Sequence, residues 1–223
     1  MRKRVAMTAL LLAALCLTGC GSSGNSANEA PSQHEMVGAT VTMGSVTKGK
    51  ETTPIEWAVL DVKDGKALLL SRSSVSRKPY HQRGGSVTWE DCSLRSWLNG
   101  DFLDKSFSET ERKHILLTDV DNSGAQKFKD WKADGGKNTQ DYIFLLSDHQ
   151  AFDVYFSSDE ARICAKQGEA DSKGEMWWLR SPGQNQAFAA YVTSSGSRGS
   201  NSTDFVIPVV RPAMWVSLAC WTN

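Results

Sequence analysis

Trp177-Trp178-Leu179-Arg180-Ser181-Pro182 is the stretch that decides the fold of this 223-residue chain. Successive strand residues point to opposite faces, so two adjacent tryptophans call for a sheet covered on both sides. Arg180 shares a face with Trp178 and needs a buried acid or a ligand there. Pro182 ends the strand or marks an edge. The chain closes on a similar piece, Val209-Val210-Arg211-Pro212-Ala213-Met214-Trp215. The two pieces are expected to form the central strands of one domain, with Arg180 and Arg211 close together. Two neighbouring guanidinium groups repel, so acids between them or a shared anion must compensate. Trp178, Arg180 and Arg211 are therefore the candidate ligand-binding residues.

Working back to the start, Arg2, Lys3 and Arg4 precede the apolar run Val5 to Leu17. That run falls short of the roughly 20 residues a membrane-spanning helix needs and has the length of a signal-peptide core. Leu17-Thr18-Gly19-Cys20 resembles a bacterial lipobox, with small residues ahead of a cysteine that takes lipid. The expected organisation is a signal peptide over 1–19, a lipidated Cys20 with a flexible linker over 20–36, and one globular domain over 37–223. Gly21 to Glu35 is rich in Gly, Ser and Asn, without an apolar period. The expected location is the extracytoplasmic face, with the membrane as partner through the lipid.

Charge is balanced, 25 basic residues against 25 acidic, and removal of 1–19 leaves 22 against 25. Without a basic stripe, nucleic acid is not an expected partner. Cys92, Cys164 and Cys220 remain once Cys16 and Cys20 are set aside, and no C-x-x-C pair supports a zinc or redox motif. At most one disulfide can form among the three.

Ile55 to Val62 and Lys66 to Ser71 read as strands joined by an Asp64-Gly65 hairpin turn. Three helices are announced by a Ser or Thr followed three residues later by an acid or amide: Thr88/Asp91, Ser108/Glu111 and Ser147/Gln150. The first should bury Leu94, Trp97 and Leu98 and stop at Asn99-Gly100; the second should bury Ile115 and Leu116. Tyr142 to Leu146 reads as an apolar strand before the third, and a short helix is expected from Asp159 to Lys166. Strands are expected at Met176–Ser181, Ala187–Thr193 and Asp204–Val216.

The order of Ile55-Glu56-Trp57-Ala58-Val59-Leu60, Leu94-Arg95-Ser96-Trp97-Leu98-Asn99, Phe144-Leu145-Leu146-Ser147, Trp177 to Pro182 and Val210-Arg211-Pro212-Ala213 resembles an uncharacterised extracellular bacterial family, domain of unknown function 6273. The resemblance covers about Thr42 to Val216. That family is distantly similar to C-type-lectin-like domains and to the formylglycine-generating-enzyme fold. The resemblance implies an α+β, C-type-lectin-like architecture: a twisted, mainly antiparallel sheet with three or four flanking helices and long loops.

Asp119, Asp121, Ser123 and Asp130 imitate part of a calcium loop, although Lys127 takes the ninth place and aspartate replaces the closing glutamate. His34, His81, His114 and His149 lack zinc spacing, and Ser181 lacks a nucleophile elbow, so no catalytic residue is nominated. Eight tryptophans, with Tyr80, Tyr155 and Tyr191, offer stacking surface, but Trp57, Trp97, Trp177 and Trp215 fall at core positions. The expected function is a non-catalytic binding domain, displayed by a lipid anchor to a glycan, peptide or protein. The alternatives are an enzyme of the formylglycine-generating type and a structural envelope protein.

Overall fold

The computed structural model describes residues 33–164 and 174–221. The expected signal peptide, Cys20 and nearly all of the 20–36 linker lie outside the described residues. The last linker residues form the single-turn helix α1 (Gln33–Met36). No helix among the described residues is long and apolar enough to cross a membrane.

Most of the architecture is antiparallel sheet. One sheet has the order β1 (Thr40–Lys48), β2 (Glu51–Lys63), β3 (Lys66–Ser71), β11 (Ala213–Ser217). The β2–β3 turn is the expected Asp64-Gly65, with both residues at positive φ, as a type I′ hairpin needs. A second hairpin turn, at Gly49-Lys50, adds β1, a strand the sequence reading had not assigned. The second sheet runs β4 (Ser76–Arg77), β10 (Val209–Val210), β7 (Trp177–Pro182), β8 (Phe188–Val192), β9 (Arg198–Ser202). Its one parallel pairing is β10 with β7; β5 (Thr118–Val120) and β6 (Thr139–Asp141) form a separate ribbon.

Strand β7 is central, and all six of its residues are buried. Trp177 donates its indole N–H to the Arg162 carbonyl at 3.0 Å, and Trp178 donates to the Lys78 carbonyl at 3.0 Å. The closing stretch is not one strand. Val209–Val210 pairs beside β7, and from Ala213 onward the chain pairs with β3 in the other sheet. Arg211-Pro212 is the crossing, and Pro212, which has no N–H, cannot extend a ladder through it.

The helices are shorter than expected. Helix α2 (Ser93–Trp97) starts after Thr88/Asp91, with the Cys92 sulfur accepting from the Arg95 N–H at 3.4 Å. It continues through a π-helical turn (Leu98–Phe102) into α3 (Leu103–Ser106), so Asn99-Gly100 does not stop it. Asn99 instead spends its amide across the gap, donating to the Arg95 and Ile143 carbonyls and accepting from the Tyr142 and Ile143 N–H groups. Helix α4 (Glu109–Arg112) carries the expected Ser108/Glu111 capping box but ends before Ile115, which bridges to Val216 instead. Ser147 and Gln150 cap each other reciprocally at 3.0 Å ahead of a π-helical turn (Gln150–Val154). Tyr142–Leu146 is not a strand. Phe144 bridges to Ala213, while the Leu145 and Leu146 carbonyls are taken by Arg180. Helix α5 (Asp159–Arg162) occupies the start of the expected 159–166 helix.

Candidate functional site

The three residues nominated from sequence are all buried. Trp178 packs edge-on against Tyr80 and Tyr191, with ring centroids 5.8 and 6.0 Å away. Arg180 donates Nε to Asn122 Oδ1 at 3.2 Å, Nη1 to the Leu145 carbonyl at 2.9 Å and to Gln150 Oε1 at 2.6 Å, and Nη2 to the Asp121 carbonyl at 2.9 Å. Burial pulls its pKa down to about 10. Arg211 stacks 5.0 Å over Trp177 and donates Nε to the Ser71 carbonyl at 2.7 Å. It directly follows β10, which neighbours the β7 strand of Arg180, yet among the described residues the two guanidinium groups bond to no residue in common. Among the described residues neither pairs with an acid. Neutral oxygens take the place of the expected carboxylates.

Asp119 and Asp121 of the calcium-like run are each engaged by other side chains or backbone groups. Asp119 Oδ1 accepts from Gln140 Nε2 at 3.0 Å across the β5–β6 ribbon. Asp121 accepts from the Ser123 N–H at 2.8 Å and from Gln126 Nε2 at 3.1 Å, closing the turn into a 3-10 segment (Gly124–Gln126). No group of three or more His, Cys, Asp or Glu side chains is placed to hold a metal among the described residues. Cys92, a helix cap, is buried, and desolvation pushes its thiol up to about 12. Burial also pushes the Cys164 thiol up.

One surface depression among the described residues is a cleft of about 470 Å³. Its walls are two strand edges: Ser45–Lys48 of β1, and Ser74–Arg77 running into β4. β1 is an edge strand of the first sheet and β4 an edge strand of the second. The far side is the helical segment, which presents Trp97, Asp101, Phe102, Lys105 and Ser106. The rings of Trp97 and Phe102 lie 5.1 Å apart, and Lys78 Nζ sits 4.9 Å over the Trp97 ring. Trp178 sets that lysine's backbone, because its indole N–H holds the Lys78 carbonyl.

The cleft's acids are already paired. Glu175 bonds to Arg77 at 2.9 Å and accepts from Ser74 Oγ at 2.7 Å. Asp101 bonds to Lys105 at 2.7 Å, a contact that holds its carboxyl below the usual range. Paired acids beside hydroxyls and an aromatic ring suit polar recognition better than proton transfer. The sequence reading placed Trp97 in the core. It is half-buried, with its helical spacing to Leu94 intact, and lines the cleft. The β-branched pieces Thr40-Val41-Thr42 and Val46-Thr47, interrupted at Gly44 and ending before Gly49, are the signal that could have found β1.

A second depression, of about 450 Å³, includes Phe128, Asp148, His149, Asp153 and Arg198. There Arg198 lies between Phe128 and Phe152, at 4.2 and 4.1 Å from their ring centroids, and grips the buried Asp148 with two bonds of 2.7 and 3.1 Å. Arg162 covers the Phe152 ring at 4.4 Å, extending the stack. These contacts close on one another and tie β9 to the 147–154 segment.

A family model described as Domain of unknown function (DUF6273) matches residues 64–218. The matched span begins in the β2–β3 turn, so β1 lies outside it. No curated protein and no solved structure matches the chain.

Proposed function

Because this chain belongs to the DUF6273 family, whose description assigns no chemistry, we propose a role drawn from its own surface: a membrane-tethered, non-catalytic binding module. In this reading the lipid on Cys20 holds a C-type-lectin-like domain on the extracytoplasmic face of a bacterial cell, and the ligand lies in the cleft beside Trp97. The observation that carries it is the make-up of that cleft: an open groove between two strand edges, a half-buried tryptophan, several hydroxyls, and acids that are spoken for. Aromatic faces ringed by hydrogen-bonding groups are the usual anchors of polar ligands. Trp178, Arg180 and Arg211 enter this reading as supports of the cleft wall and core.

The test uses the full chain in detergent, screened against glycan, peptidoglycan-fragment and peptide libraries. A binder is expected, with affinity reduced about tenfold or more in Trp97→Ala and in Arg77→Ala. Binding from none of the three libraries, or unchanged binding in both variants, overturns the reading. The anchor is tested separately: Cys20→Ala should leave the membrane fraction, and its retention there as a processed protein would remove the tether from the reading.

A further inference from the structure

We propose that the cleft receives an extended peptide, added as a new strand along the free edge of β1; this rests on the cleft being the ligand-binding face. The pairing parity of β1 decides which of its main-chain groups are free. Lys48 and Glu51 flank the two-residue turn Gly49-Lys50, and such a closing pair is hydrogen-bonded in both directions. Alternation then makes Thr47↔Thr52 a non-hydrogen-bonded pair, Val46↔Thr53 a bonded one and Ser45↔Pro54 non-bonded. Two independent facts agree. Pro54 has no N–H to give Ser45, and the Thr47 and Thr52 hydroxyls meet at 2.9 Å, as the closer spacing of a non-bonded pair allows.

It follows that the N–H and C=O groups of Ser45 and Thr47 point away from β2, toward the cleft that these residues line. Natural edges are usually blunted by a proline, a bulge or a cover. The bulge in β1 falls between Thr42 and Ser45, and the register from Ser45 to Lys48 is unbroken. Edge addition draws affinity from such outward main-chain groups and specificity from pockets for alternate side chains. Trp97 and Phe102 supply the apolar pocket here. Lys48, Arg77 and Lys105 line the cleft against Asp101 and Glu175, with Lys78 over Trp97, so an acidic segment is the better complement.

The experiment selects binders from a library of short random peptides displayed on phage, using the full chain in detergent. The tightest peptide is then followed by residue-resolved amide exchange. Selected sequences should carry β-branched residues and acids in alternation. The Ser45 and Thr47 amides should exchange fast in the free protein and become protected in the complex, whereas Val46 and Lys48 should be protected in both. Thr47→Pro removes an N–H the ladder does not use, so it should weaken the peptide about tenfold or more while leaving the melting temperature nearly unchanged. Should that variant not fold, the exchange pattern of the unmodified protein still decides. Peptides that bind without protecting Ser45 and Thr47, or that bind Thr47→Pro as well as the parent, overturn the proposal. If no peptide is selected but a glycan binds in a Trp97-dependent way, the strand addition falls and the binding-module reading stands. If nothing binds, both fall.

Discussion

Arg180 on β7 and Arg211, just past the end of the neighbouring β10, are both nearly without solvent and differ in how their donors are spent. Arg180 gives all three of its nitrogens to four neutral oxygens. Arg211 gives Nε to one carbonyl, and its Nη1 is buried without a hydrogen-bond partner. Removing Arg180 takes a donor from four acceptors, those of Asn122 and Leu145 in fully buried bonds, whereas removing Arg211 relieves a buried cation that is poorly compensated. Arg180→Met should therefore cost about 3–5 kcal/mol, and Arg211→Met should stay within about 1 kcal/mol or stabilise. Denaturant unfolding of the two variants checks this, and equal losses would sink the distinction. An arginine after an apolar run and before a proline was legible in sequence as a buried guanidinium. Its partners were not, because Asp121, Asn122, Leu145 and Gln150 come from distant segments that only the folded chain assembles.

The β1 bulge at Gly44 shows how one element fixes the cleft's end. Gly44 stands at φ +69°, and a Cβ there would lie 2.7 Å from the Phe107 ring and from the Ser106 carbonyl. Its N–H donates to Glu111 Oε1 at 2.7 Å, so the capping glutamate of α4 also clamps β1. Gly44→Ala meets both backbone strain and a clash, and should cost about 1–3 kcal/mol with a loss of cleft binding. Glu111 adds a pH dependence. Burial pushes its carboxyl up, but hydrogen bonds from the Gly44 and Ser108 N–H groups and the Ser108 hydroxyl outweigh that and hold it below the usual value. A carboxylate depressed in the folded state adds stability above its unfolded pKa of about 4.3, and that stability is lost as pH falls through the lower folded value. Melting curves between neutral pH and pH 3 should show this acid loss, and Glu111→Gln should flatten it. The capping box was readable three residues apart in sequence, since it is a local device. The reach of the same glutamate to Gly44 spans 67 positions, and no local pattern encodes it.

At the scale of the whole molecule, one short stretch joins the two sheets. Val209–Val210 lies between β4 and β7, and Ala213–Ser217 closes the edge of β3, with two residues between them. The sequence reading found both apolar halves and took them for one central strand, because the pattern runs straight through Arg211-Pro212. Only the proline's missing N–H marked the break. The same core cluster contains Leu69 of the first sheet and Leu179 of the second, both wholly buried. A last strand divided in this way leaves neither sheet complete without the other. Unfolding of the described residues should thus be a single cooperative transition. Leu69→Ala and Leu179→Ala should each cost about 2–5 kcal/mol, the range for a buried leucine cavity. The decisive reading is where that loss appears. If the sheets are one unit, Leu69→Ala lowers the exchange protection of the Ala190 amide in β8 as much as that of Val59 in β2, and Leu179→Ala does the same in reverse. Protection lost only in the mutated sheet would mean that the Arg211-Pro212 crossing is a mere connection, and the sheets would then fold as separate units.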